Sequence, residues 1–186
     1  MKKIVLRYGI LSGFILMSLS AVVLPLCMNG VVNFDHQEIF GYTAMVLSFL
    51  LVFFGVRKYR DTVGGGAIGF GKAVQVGLLI SLVTCAMYVI GWEIAYFNFF
   101  PHFLDNYNAH ALAKMRAGGA SEAAIRAQAA QMADLAKRYQ NPLFNSALTF
   151  LEVFPVGLVV TLVSAGILRR KSGPGEPVSA VPAMPA

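Results

Sequence analysis

Charge is what this chain withholds. Only 13% of its residues are Asp, Glu, Lys or Arg, roughly half the share of a soluble domain. None of them falls within residues 8–34, 39–56, 73–92 or 153–168. Runs of this length and apolarity exclude ordinary surface elements. About 20 apolar residues at 1.5 Å rise cross the ~30 Å hydrocarbon layer of a bilayer. Cysteine is scarce as well. Cys27 and Cys85 both lie inside apolar runs, which excludes a disulfide framework, a CxxC redox pair and a cysteine metal site, and leaves small packing residues. Leu26 stands before Cys27 where a lipid-modified cysteine would have a small residue. The three histidines, His36, His102 and His110, make no i, i+4 pair with another His, Cys or acid. No nucleophile elbow or nucleophile–base pair is visible. The sequence thus implies no cofactor, no metal and no catalytic residue.

What is present is 57% hydrophobic residues, arranged as four spans near residues 4–27, 39–56, 70–96 and 143–168. The expected fold is an all-α, four-helix transmembrane bundle over residues 1–171, with residues 97–142 as a helical extracytoplasmic hairpin between the third and fourth spans. No room remains for a soluble catalytic domain. The first apolar run exceeds the 7–15 residues of a cleaved signal's core and has no convincing small-x-small site, so it is expected to stay as a helix. Residues 172–186, with four prolines among Gly, Ser and Ala, read as a disordered cytoplasmic tail.

Basic residues sit at the ends of the apolar runs, where topology and headgroups account for them; nucleic acid is not an expected partner. Lys2, Lys3, Arg7, Arg57, Lys58, Arg60, Lys72, Arg169, Arg170 and Lys171 fall on one side. Lys114, Arg116, Arg126, Lys137 and Arg138 fall on the other, where the short 28–38 loop carries Asp35 and Glu38. The positive-inside rule then puts both termini in the cytoplasm of a bacterial inner membrane. In the insert, Gly118-Gly119 divides a helical stretch over 104–117 from a second that Ser121 caps. Glu122 in its first turn and Lys137-Arg138 in its last suit the helix dipole, and Asn141-Pro142 stops it. Ile125, Met132 and Leu135 give that helix a narrow apolar stripe.

Three patterns bear on function. Gly64, Gly66 and Gly69 have GxGxxG spacing, and Gly66, Gly71 and Lys72 have GxxxxGK spacing. Ala73 stands where a phosphate loop needs Ser or Thr, and a span rather than a strand precedes it, so the stretch reads as a turn, flexible or re-entrant, between spans. Small residues recur every four positions: Gly9 and Gly13; Ala73, Gly77, Ser81 and Cys85; Gly157, Thr161 and Ala165. These let helix backbones approach, within the bundle or, for Gly9 and Gly13, in a homodimer. Finally, Glu93 and Glu152 lie within spans, where an acid at the centre costs about 2.5–3.5 kcal/mol. Counted from the span ends at 1.5 Å per residue, they come to similar depth and can share one outward-facing polar region. Pro155 removes the helical bond to the Leu151 carbonyl, an oxygen able to meet a cation or polar ligand. A buried, hydrogen-bonded acid serves the fold alone; a hydrated one marks a proton, cation or polar-solute site.

The ordered landmarks Gly41-Tyr42-Thr43-Ala44-Met45, Arg57-Lys58-Tyr59-Arg60-Asp61, Gly65-Gly66-Ala67-Ile68-Gly69-Phe70-Gly71-Lys72-Ala73, Tyr139-Gln140-Asn141-Pro142 and Thr149-Phe150-Leu151-Glu152-Val153-Phe154-Pro155-Val156-Gly157-Leu158 are similar to those of the bacterial membrane-protein family catalogued as domain of unknown function 4199. The resemblance spans roughly residues 5–170, and the Thr-Phe-x-Glu-x-x-Pro-x-Gly segment is its most specific part. It implies four spans with an outer insert between the third and fourth, and no activity, substrate or cofactor. Three functions remain open. The first is a non-enzymatic inner-membrane protein acting through packing, self-association or a membrane partner. The second is a small transport or sensing protein with a site at Glu93 and Glu152. The third is an enzyme acting on lipid.

Overall fold

Hydropathy alone sets the four longest helices, and capping residues set the joints between the rest. The computed structural model describes residues 1–28 and 34–170. Six helices follow one another: α1 (Lys2–Met28), α2 (Phe34–Thr62), α3 (Phe70–Asn98), α4 (Phe103–Ala117), α5 (Glu122–Tyr139) and α6 (Pro142–Leu168). α1, α2, α3 and α6 are long and apolar enough to cross a membrane, which makes the chain a membrane protein. The expected residues 172–186 tail and the side chains of Asp35, His36 and Glu38 lie outside the described residues.

The second span belongs to a helix longer than its apolar run. Residues 39–56 make a short span, with Arg57 to Arg60 as its end. The helix that carries this run is longer: the membrane-span candidate covers Ile39–Thr62, 24 residues, and α2 itself begins at Phe34, inside the stretch assigned to the loop. Loss of hydropathy does not stop a helix; nothing before the Gly64–Gly66 turn breaks the backbone pattern, and long basic side chains keep their charge at the interface while their stems stay helical. The α6 start is better signalled. Asn141 Oδ1 accepts the Leu143 N–H at 2.9 Å, and Pro142 occupies the first helical position, where its missing N–H costs nothing. Residues Asn141-Pro142 therefore end α5 and also cap the following span. Ser121 caps α5 as expected, its hydroxyl accepting the Ala124 N–H at 3.2 Å. Between α4 and α5, Gly119 has φ +77°, a left-handed conformation that suits glycine.

The four spans form a ring: α1 beside α2, α2 beside α6, α6 beside α3 and α3 beside α1, with α2 and α3 also touching across the middle. α4 pairs with α5, and α5 touches α6. Large apolar side chains such as Phe14 and Val159 point away from the bundle, where lipid lies. At one end, which we call the turn end, backbone hydrogen bonds and two left-handed glycines shape the Gly64–Gly66 segment. Gly65 and Gly66 take φ +61° and +87°, and Gly66 N–H bonds to the Arg60 carbonyl at 3.0 Å. Ile68 and Arg170 then exchange both backbone hydrogen bonds, at 3.2 and 3.0 Å, tying the turn to the far end of α6. The opposite end, bearing α4 and α5, we call the cap end.

Near the turn end the helices interlock through the small residues. A methyl built on Gly9 would stand 2.6 Å from Val83 Cβ, and one on Gly13 would stand 2.8 Å from Met87 Cβ. Both glycines of the GxxxG pair therefore pack on α3 of their own chain. Gly77 faces Thr161, and Gly157 faces the Phe49 ring and Ser81. The Ser81 hydroxyl lies 3.0 Å from Thr161 Oγ1 and 3.3 Å from the Gly157 carbonyl. Ser12 donates to the Ser48 carbonyl at 2.7 Å. Such close approach gains dispersion and interhelical hydrogen bonds, the forces left once lipid removes the hydrophobic drive.

Candidate functional site

Beyond the small-residue stripes the side chains become large, and space opens. On α3, Ala73, Gly77, Ser81 and Cys85 give way to Tyr88, Trp92 and Tyr96. α1 carries Ser20 and Leu24 at the same level as Tyr88 and Trp92. There the bundle frames an open-sided cavity of about 510 Å3 to which all six helices contribute. This is within the ~300–1,000 Å3 of small-molecule sites.

Its polar wall is built from side chains far apart in sequence. Trp92 Nε1 donates to the Tyr139 hydroxyl at 2.9 Å, joining α3 to the end of α5. Thr149 on α6 approaches the same phenol. Thr149 also donates to Asn145 Oδ1 at 3.2 Å, and Asn145 Nδ2 donates to the Tyr139 carbonyl at 3.5 Å. Ser20 on α1 sits against the Tyr88 hydroxyl. Burial pushes the Tyr139 phenol up; hydrogen bonds from Thr149 and Trp92 pull the other way, and the nearby Glu152 and Glu93 carboxylates push it up further. The phenol thus stays protonated. Edge-on ring contacts of Tyr139 with Tyr96 at 5.1 Å and of Trp92 with Phe103 at 5.5 Å brace the wall from behind. Tyr42 of α2 and Tyr107 of α4 complete the opposite side.

The structure separates the two acids. Glu152 lines the cavity, exposed at its wall, close enough to act electrostatically on both Tyr88 and Tyr139. Glu93 is not among the lining residues. It is half-buried between α3 and α6, where its Oε1 accepts the Ser146 hydroxyl at 3.0 Å. One position along the helix decides this: Trp92 turns into the cavity and Glu93, about 100° round, turns to α6. Pro155 stands within an unbroken α6 and on its exposed side, as does Leu151, 64% exposed. Gly9, Gly13, Gly77, Ser81 and Gly157 lie away from the cavity, at the helix contacts already described. His102 is at the surface, 3.3 Å from Asp105, far out on its own loop. Among the described residues no three His, Cys, Asp or Glu side chains come together as a metal site.

Tyr88, Trp92, Tyr139 and Thr149 went unnoticed in the sequence as a group. A tryptophan and tyrosine near a span end read as interfacial anchors. The one available signal was the change from small to aromatic residues along α3, at the four-residue spacing that had marked the packing face.

Fold and site together define a four-span membrane protein with an aromatic, carboxylate-bearing cavity under two shorter helices. The chain belongs to the family described as Protein of unknown function (DUF4199), which matches residues 7–170. No curated protein and no solved structure matches the chain.

Proposed function

We propose that this is a non-enzymatic, multi-pass protein of the bacterial cytoplasmic membrane that binds a membrane-soluble ligand in its cap-end cavity, as a sensor or carrier. Residues 1–171 form the membrane unit, both termini are cytoplasmic and the cap end faces outward. One observation carries the reading: six helices leave about 510 Å3 open around Glu152. Interiors are close-packed, with few voids larger than a water molecule, and the turn end of the same bundle meets that standard. A bundle whose purpose was packing alone would close the cap end too. Self-association through the α1 glycines is less favoured, because α3 occupies that face. The proposed site is Glu152 with the surrounding hydroxyls and rings; Glu93 buttresses it from the α3–α6 contact.

Thiol accessibility tests this. Cys27 and Cys85 are replaced by Ala, and single cysteines are placed at Glu152 and, as an orientation control, at Ala123 on exposed α5. Intact cells are treated with a membrane-impermeant thiol reagent. Labelling at both positions is the expected result. A labelled Ala123 position beside a protected Glu152 position overturns the hydrated cavity, and protection at Ala123 overturns the orientation.

A further inference from the structure

A second cavity adjoins the first. It measures about 340 Å3 and lies between α1 and α3. Ser20, Leu24, Tyr88 and Trp92 line both cavities, so the two share one partition. Their chemistry differs sharply. The first holds Glu152 and the Tyr139 phenol. Away from the partition, the second is walled by Met17 and Ala21 of α1, Gly91 and Ala95 of α3, and the rings of Phe99 and Phe100. Met17 packs directly on Gly91, where a methyl would collide with its thioether, and the short side chains of Ala21 and Ala95 line the groove beside them. Ile94 and Phe99, at its rim, are 54% and 70% exposed, on the side where lipid lies.

We propose that the ligand is a single-chain amphiphile with an ammonium head, the head beside Glu152 and the hydrocarbon chain in the α1–α3 groove. This rests on the cavity being the binding site argued above. Charge selects the head. Among the described residues lining the first cavity, Glu152 carries the only charge, and none is Lys or Arg. An anionic head would lose hydration there and gain no counter-charge. An ammonium gains the carboxylate and stands among the lining residues Trp92, Tyr88 and Tyr139, of a ring type whose faces attract cations within about 6 Å of their centres. The groove selects the rest. It offers thioether, methyl and ring carbon, suited to methylenes worth about 0.8 kcal/mol each when removed from water. A small inorganic cation would leave the groove unused, and a plain hydrocarbon would make no use of the Glu152 charge.

Trp92 is the only tryptophan of the chain, and it stands in the shared partition, so its fluorescence reads both cavities. The full chain in lipid nanodiscs is titrated with three probes: a trimethylammonium amphiphile with a brominated chain, a sulfate-headed amphiphile with the same chain, and tetramethylammonium. The expected result is saturable quenching by the first probe alone. Glu152→Gln weakens it by at least about tenfold. Ala21→Leu with Ala95→Leu, which fills the groove, weakens the chain-bearing probe and leaves displacement by tetramethylammonium unchanged. Equal quenching by the sulfate-headed probe in the unaltered protein overturns the ammonium assignment whatever the variants do. Unchanged binding in the groove-filled variant overturns the chain assignment. No saturable quenching by any probe, with a Glu152 cysteine still labelled, overturns the amphiphile and leaves the hydrated cavity standing. A protected Glu152 cysteine removes both.

Discussion

The turn end and the cap end are made by the same four helices and solve opposite problems. At the turn end, Gly9, Gly77 and Gly157 bring backbones together until a single added methyl meets a neighbour at 2.6–2.8 Å. At the cap end, Tyr88 and Trp92 of α3 face a space of about 510 Å3, and the Trp92 indole ties α3 to Tyr139 of the covering helix α5. At the clamp, small residues give contact without room; around Glu152, large rigid ones give room without losing contact. A helix pair can therefore be a clamp along one half and a wall along the other, by changing only what recurs every fourth residue.

Glycine substitutions break this comparison most directly. Gly157→Ala at the clamp pushes a methyl to 2.7 Å from the Phe49 ring, and overpacking of this kind costs about 1–3 kcal/mol. Gly41→Ala at the cavity meets nothing within 4 Å and gains about 0.5–1 kcal/mol from helix backbone entropy. Thermal unfolding of the purified protein in detergent should move down for the first and up for the second. Two shifts of the same sign would mean the ends do not differ in packing.

Asn145→Ala sharpens the cap-end half. Fully buried, Asn145 joins Tyr139 of α5 to Thr149 of α6. Losing two membrane hydrogen bonds, at roughly 0.6 kcal/mol each, costs about 1 kcal/mol. Hydrogen exchange should rise in α5 and at the start of α6, and stay unchanged around Gly77 and Thr161. Uniform loosening would show that the two ends are one cooperative unit.

The smallest effect belongs to Ser48→Ala. Ser48 Oγ is buried and, among the described residues, has no hydrogen-bond partner, while its backbone carbonyl keeps the bond from Ser12. Removing an unsatisfied hydroxyl is neutral or stabilises by up to about 1 kcal/mol. A clear drop in melting temperature would reveal a partner for that oxygen and a less dry turn end.

The clamp was legible in sequence and the wall was not. Missing charges marked the four spans, and Gly77, Ser81, Gly157 and Thr161 meet because four-residue periodicity is itself the geometry of a helix face. Ser121 announced α5 by the chemistry of its cap. The cavity has no such local signature, because it is the space left between six segments. Trp92 and Tyr139 bond across 47 positions, a separation that no period encodes. Glu93 and Glu152 looked equivalent by depth, since depth follows from counting residues, whereas the direction each faces depends on which helix stands beside it. Residues 39–56 marked the apolar run and not the whole of α2, because charge reports where water begins, and the helix continues past that point.

The exchange of hydrogen bonds between Ile68 and Arg170 has a consequence for synthesis. A chain made N-terminus first possesses the α2–α3 turn long before it possesses Arg170. Until the last helix has been threaded, the N–H and C=O of Ile68 form an open edge. Completion of α6 is thus registered at a point over a hundred residues upstream, and a chain interrupted within α6 would carry an unlatched turn.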